Sequence, residues 1–160
     1  MYLYFFRKTD MKRLLFLILC GIAFSCSTFV SNIPYARVYL ELDLTYQDRA
    51  LKTLSAYKIY NQKNIDQAGE MTGFGGVLVY HGVNASGMDQ YYAFDAACPY
   101  EAKTSIIVEV TDDGLYAICP KCGSKYDLLN GIANPLEGPS DQYLKQYNVS
   151  MQGDKIYVTN

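Results

Sequence analysis

Cysteine is the one residue type in this chain whose chemistry packing alone does not explain. Three of the five cysteines fall in two short loops, Cys98-Pro99-Tyr100 and Cys119-Pro120-Lys121-Cys122-Gly123-Ser124-Lys125-Tyr126. Thiolates ligate zinc and iron–sulfur clusters, and outside the cytoplasm they pair as disulfides. Both loops open Cys-Pro, and each closes a segment that reads as a β-strand. Two loops offered side by side by strand ends are how a two-loop metal or redox site is made.

The strands that must carry these loops are legible from pattern. Gln90 to Asp95 runs into Cys98. Ser105 to Val110 and Leu115 to Ile118 flank Thr111-Asp112-Asp113-Gly114, a hairpin signal, so the second loop hangs directly off a hairpin. Lys125 to Leu129 follows as a strand closed by Asn130-Gly131, and Asn134-Pro135 to Pro139 reads as a loop. Tyr143 to Val149 and Lys155 to Val158 pair across Gln152-Gly153-Asp154. Upstream, Ala36 to Thr45 alternates, with Val38, Leu40, Leu42 and Leu44 on one face. Tyr46 to Tyr60 places Ala50, Leu51, Leu54 and Tyr57 at helical spacing, which reads as a short surface helix. Gly73-Phe74-Gly75-Gly76 is followed by a strand, so these glycines are a tight entry into a sheet and not an anion-binding loop.

The second loop, with Gly123-Ser124-x-Tyr126-Asp127-Leu128 and then Asn130-Gly131 and Gly138-Pro139 in order, resembles the second cluster-binding loop of a Rieske iron–sulfur domain. The first loop resembles its partner, and the resemblance runs from about Tyr91 to the C-terminus. It implies an all-β fold over 35–160, an antiparallel β-sandwich or small barrel carrying a two-loop cluster-binding subdomain. A Rieske centre holds one iron with two Cys and the other with two His. By the resemblance the cysteines fall on Cys98 and Cys119, while the histidines fall on Tyr100 and Cys122. The cysteine pair that staples the loops in some members falls on Ala102 and Lys121.

That leaves three readings of Cys98, Cys119 and Cys122, with Tyr100 beside them. The first in order is a metal-free module in which two of the three form a disulfide, Cys98 with Cys119 being the pair that would share an iron in the family. The second is a [2Fe–2S] electron-transfer centre with Cys and Tyr ligands, at lower potential than a histidine-ligated one. The third is structural zinc on the three thiolates, with Tyr100, Asp95 or water as fourth ligand. A thioredoxin-like redox role is disfavoured, because Cys119-x-x-Cys122 leads into a strand and lacks the helix N-terminus that lowers a thiol pKa. His81, the single histidine, closes a strand and reads as an ordinary hydrogen-bonded side chain.

The compartment comes from the leader. Lys12-Arg13, the apolar run Leu14 to Cys20, and Gly21-Ile22-Ala23-Phe24-Ser25 before Cys26 describe an export signal over 1–25, with Met11 as an alternative start. The pattern is similar to a bacterial lipoprotein signal, which makes Cys26 the lipidated residue, 26–34 a tether, and the bacterial cell envelope, periplasmic or exterior, the location. An uncleaved N-terminal anchor is the alternative. The leader lacks a twin-arginine pair, which implies export unfolded, without a preassembled cluster.

Bulk composition excludes other classes. The 160 residues hold one domain, and 50% hydrophobic content is ample for a core. The 16 Tyr and the absence of Trp fit a pleated surface. The leader takes four of the 14 basic side chains and one of the 16 acidic ones, which leaves the remainder of a chain at −2 with a charge of −5. An acidic body without a basic stripe argues against nucleic acid as a partner. The partners expected are a membrane, through Cys26, and a redox or cell-envelope protein. No nucleophile with a base and no nucleotide loop argues for a stand-alone enzyme; an electron-transfer component is the most the residues support.

Overall fold

The structure, a computed structural model, describes residues 31–160. The expected export signal over 1–25 and the expected lipidation site Cys26 lie outside the described residues. Among the described residues eleven strands form two antiparallel sheets: β1 Val38–Asp43, β2 Tyr57–Tyr60, β3 Met71–Thr72, β4 Val77–Val83, β5 Asp89–Asp95, β6 Glu109–Val110, β7 Tyr116–Ile118, β8 Lys125–Asp127, β9 Pro135–Glu137, β10 Gln146–Gln152 and β11 Lys155–Thr159. The larger sheet has the order β2-β4-β5-β10-β11-β1-β3, and the smaller β6-β7-β8-β9. The all-β expectation holds, and the smaller sheet is an insertion between β5 and β10 that carries the second Cys-Pro loop.

The β4–β5 hairpin joins the two parts. Val77 and Val79 on β4, with Tyr91 and Ala93 on β5, pack with Leu40, Leu42, Ile156 and Val158 in one core. Leu78, Tyr80, Tyr92 and Phe94 point the other way and pack with Cys98, Val108, Ala117, Cys119, Tyr126 and Leu128 in a second. Successive side chains on a strand face opposite sides, so a hairpin buried on both sides needs an unbroken apolar run such as Val77-Leu78-Val79-Tyr80. Each of these wholly buried large side chains contributes roughly 1.5–3 kcal/mol by leaving water.

Local differences from the pattern have local causes. The expected helix after β1 is a single 3₁₀ turn, Arg49–Lys52, without a side-chain cap at Asp48. Only Leu51 of that turn is buried, while Leu54 is exposed, so one anchor replaces an apolar stripe. The carboxylate of Asp48 is spent elsewhere, on the Asp43 N–H, Lys58 and the Tyr60 hydroxyl. Pro135 opens a short edge strand where a loop was expected; an edge tolerates its missing N–H. The segment Ser105 to Val110 pairs only at its end, as β6, with one isolated bridge from Ala97 to Ile107. Residues 31–34 lie against the domain: the Asn32 N–H donates to Gln142, Lys145 donates to the Ile33 and Pro34 carbonyls, and Ile33 is buried.

Candidate metal centre

Three threads bring the cysteines together. β5 delivers Cys98 past Asp95, whose carboxylate is fully buried and receives four donors: the N–H groups of Phe74, Gly75 and Ala97 and the hydroxyl of Tyr147. With its oxygens committed to those donors, Asp95 is a fastener for the first loop and does not serve as the fourth ligand considered for zinc. The Cys98 N–H donates to the Ile106 carbonyl, and the Ala102 N–H donates back to the Cys98 carbonyl, which closes the loop.

The second loop is a turn between β7 and β8. The Cys119 N–H donates to the Ser124 carbonyl at 2.8 Å and the Gly123 N–H to the Cys119 carbonyl at 3.0 Å. Gly123 takes φ +75°, the left-handed region that glycine enters without a Cβ clash. The turn aims the backbone N–H groups of Lys121 and Cys122 at the Cys119 sulfur. Between the loops Lys121 donates to Glu101 at 2.6 Å, an ion pair in the region where some relatives of the resembled family carry a stapling disulfide.

The sulfurs of Cys98, Cys119 and Cys122 all lie within 4.8 Å of one another. Cys98 and Cys122 approach to 3.7 Å. Four thiolates about 2.3 Å from one tetrahedral ion sit roughly 3.8 Å apart, so the observed contact is the spacing of sulfurs sharing one ion. All three are free thiols. No pair of the three is bonded, and Cys119 lies within 4.8 Å of both other sulfurs, so the geometry leaves more than one pairing within reach.

The three thiols are not equivalent. Burial pushes Cys119 up to about 11, against the opposing effect of the two N–H groups aimed at it. Burial also opposes charge on Cys122, but there it is outweighed by the Ser124 hydroxyl, 3.1 Å from the sulfur, and by the Ser124 backbone, which hold this thiol below its ordinary value. Cys98 and Cys119 are fully buried, whereas Cys122 is partly exposed.

Tyr100 is 54% exposed. The tyrosine hydroxyl that reaches a cysteine is that of Tyr126, 3.6 Å from the Cys98 sulfur. Burial pushes this phenol above its ordinary value, so it keeps its proton and stands as a donor toward a thiolate. Nothing in the sequence pattern gives Ser124 or Tyr126 a role of its own. Their one signal is position: both follow Cys122 directly, Ser124 in the turn and Tyr126 on β8, which pairs with β7. His81 is buried on β4, with Nδ1 3.1 Å from the Thr53 carbonyl and its ring stacked on Tyr91. It belongs to neither loop, so the two-Cys, two-His set of a Rieske cluster does not fit this chain.

No family model matches the chain, and no curated protein matches it. Among solved structures it is similar to a chain of the complex of reduced oxygenase and oxidised ferredoxin in carbazole 1,9a-dioxygenase. The two are 19% identical with a TM-score of 0.48, covering 78% of this chain and 94% of that one. It is also similar to the ferredoxin of Sphingomonas yanoikuyae B1, at 15% identity and a TM-score of 0.42, covering 79% of this chain and 99% of that one.

Proposed function

We propose that this chain is an exported, membrane-tethered all-β domain that holds one thiophilic metal ion, zinc in the first instance, on Cys98, Cys119 and Cys122. The carrying observation is that three thiols from two loops lie within 4.8 Å of one another, with backbone N–H groups already directed at Cys119. A two-iron cluster would place a third thiolate on the second iron, farther off than sulfurs sharing one ion, and it would lack the histidines of the family. Soft thiolate donors favour zinc or copper(I). The ion would lock the two loops at the tip of the small sheet, and Lys121 would offset part of the negative charge of the thiolates. Tyr126 would donate to Cys98, and Ser124 to Cys122. Lipidation at Cys26 would hold this tip at a membrane face, where its partner is a cell-envelope protein.

The test is metal and sulfide analysis, together with thiol alkylation, on the full chain purified from membranes in detergent under anaerobic, reducing conditions. The expected result is a single zinc or copper ion per chain, with the three thiols protected from alkylation until a chelator is added. Two irons with labile sulfide, or failure to take up zinc on titration, would overturn the reading.

A further inference from the structure

The sulfur contact and the unequal exposure of the trio point to a second chemistry. We propose that Cys122 is a thiol–disulfide exchange site for small organic disulfides, that Cys98 resolves the adduct, and that Cys119 stays a thiol throughout. The inference rests on the metal reading in one respect: closing the Cys98–Cys122 bond would remove two of the three ligands and empty the site.

Access selects the first step. Cys98 and Cys119 are fully buried and Cys122 is partly exposed, so an incoming disulfide meets Cys122. Gly123 beside it has nothing within 4 Å of where a Cβ would stand, so the backbone next to Cys122 is open on that side. Contact selects the second step. The Cys98 sulfur is 3.7 Å from that of Cys122, and a disulfide needs about 2.05 Å, so an approach of roughly 1.7 Å completes it. The Cys119 sulfur also lies within 4.8 Å of the other two, but Cys119 is wholly buried and held by the turn, through its N–H to the Ser124 carbonyl, the Gly123 N–H to its own carbonyl, and the two N–H groups aimed at its sulfur.

The reaction balances with the organic disulfide as oxidant. The Cys122 sulfur attacks one sulfur of RSSR, the S–S bond breaks, and RSH leaves with the proton from Cys122. The Cys98 sulfur then attacks the Cys122 sulfur of the mixed disulfide, and a second RSH leaves with the proton from Cys98. Two electrons pass from the protein to the oxidant, and excess RSH reverses both steps. Metal and this disulfide exclude one another.

The experiment uses the full chain in detergent, reduced and freed of metal by a chelator, exposed to oxidised glutathione, then acid-quenched, alkylated, digested and mapped by mass. The expected products are a Cys98–Cys122 bond and alkylated Cys119. With Cys98→Ser, the glutathione adduct is expected at Cys122 with a lifetime lengthened at least about tenfold, because its resolving thiol is gone. Cys119→Ser is expected to form the Cys98–Cys122 bond as the unsubstituted chain does. A Cys98–Cys119 or Cys119–Cys122 bond, or a first adduct on Cys119, would overturn the proposal. A chain that binds zinc through three thiols yet never forms the Cys98–Cys122 bond refutes the exchange and keeps the metal reading. A chain that forms the bond but takes up no zinc supports the exchange and refutes the metal reading.

Discussion

The Tyr147 hydroxyl donates to the Asp95 carboxylate at 2.5 Å, joining β10 to β5 three residues before Cys98. The same carboxylate holds the Phe74, Gly75 and Ala97 N–H groups, and the Asp95 N–H in turn donates to Lys145. One buried side chain thus ties the glycine turn, the last strand pair and the first cysteine loop together. Removing its acceptor would leave several buried donors with no partner.

Tyr147→Phe deletes one donor to a charged acceptor and is expected to cost about 1.5–3 kcal/mol in urea unfolding. Asp95→Ala leaves three N–H groups and a hydroxyl unpaired and is expected to cost distinctly more, a large share of the roughly 5–15 kcal/mol available to a domain of this size. Zinc uptake by Asp95→Ala should weaken as the first loop loosens. Equal destabilisation by the two substitutions would show that the carboxylate does not organise this junction.

The second loop depends on a close backbone approach. A Cβ on Gly138 would stand 2.5 Å from the Ser124 Cα and 2.7 Å from its nitrogen, and Gly138 has φ +87°. Gly123 shares the positive φ but faces open space. Gly138→Ala is therefore expected to destabilise by several kcal/mol and to displace Ser124 from Cys122. Gly123→Ala is expected to cost about 1 kcal/mol, the backbone effect alone. Cadmium–thiolate absorbance on titration reads the consequence for the site; a Gly138→Ala chain that binds cadmium like the unsubstituted one would contradict it.

What was legible in the residues divides along physical lines. Strands with one buried face announce themselves by alternation, as Val38, Leu40 and Leu42 do, and those buried on both faces by length, as in Val77 to Tyr80. Cys-Pro openings mark both loops, and Gly123 marks the turn of the second. The role of Asp95 was not legible, because its four donors come from positions 74, 75, 97 and 147, which only the folded chain assembles. For the same reason the tyrosine nearest a sulfur is Tyr126 on β8, while Tyr100, one residue past Cys98-Pro99, faces solvent. The 3.7 Å contact between Cys98 and Cys122 also escaped, because it depends on how the turn after Cys119 folds back toward the first loop.

The export signal expected over 1–25 carries a separate expectation about Cys26, which lies outside the described residues. If it carries the lipid, Cys26→Ala should move the protein from the membrane fraction to the soluble exported fraction, or stall it as an unprocessed precursor with a higher mass. A single acyl-modified cysteine is the only tether in that reading. A Cys26→Ala chain that stays in the membrane at unchanged mass would mean that the apolar run itself is the anchor.

Alkaline pH tests the buried phenols. Burial raises the pKa of Tyr60, Tyr126 and Tyr147, helped by hydrogen bonds to Asp48 for Tyr60 and to Asp95 for Tyr147. The unfolded chain releases these protons near the ordinary phenol value of about 10, while the folded chain keeps them. Above that pH the unfolded state binds fewer protons, so stability falls as pH rises; below it the contribution is fully present. Three such groups give a slope of about 4 kcal/mol per pH unit once all three ionise in the unfolded chain but not in the folded one. Urea midpoints should hold steady from pH 7 to 9 and drop steeply above 10. Tyr80, Tyr91 and Tyr92 are raised by burial as well and add to the drop. Tyr147→Phe, which removes one raised phenol, should make it shallower, and an unchanged slope would place the alkaline transition on other groups.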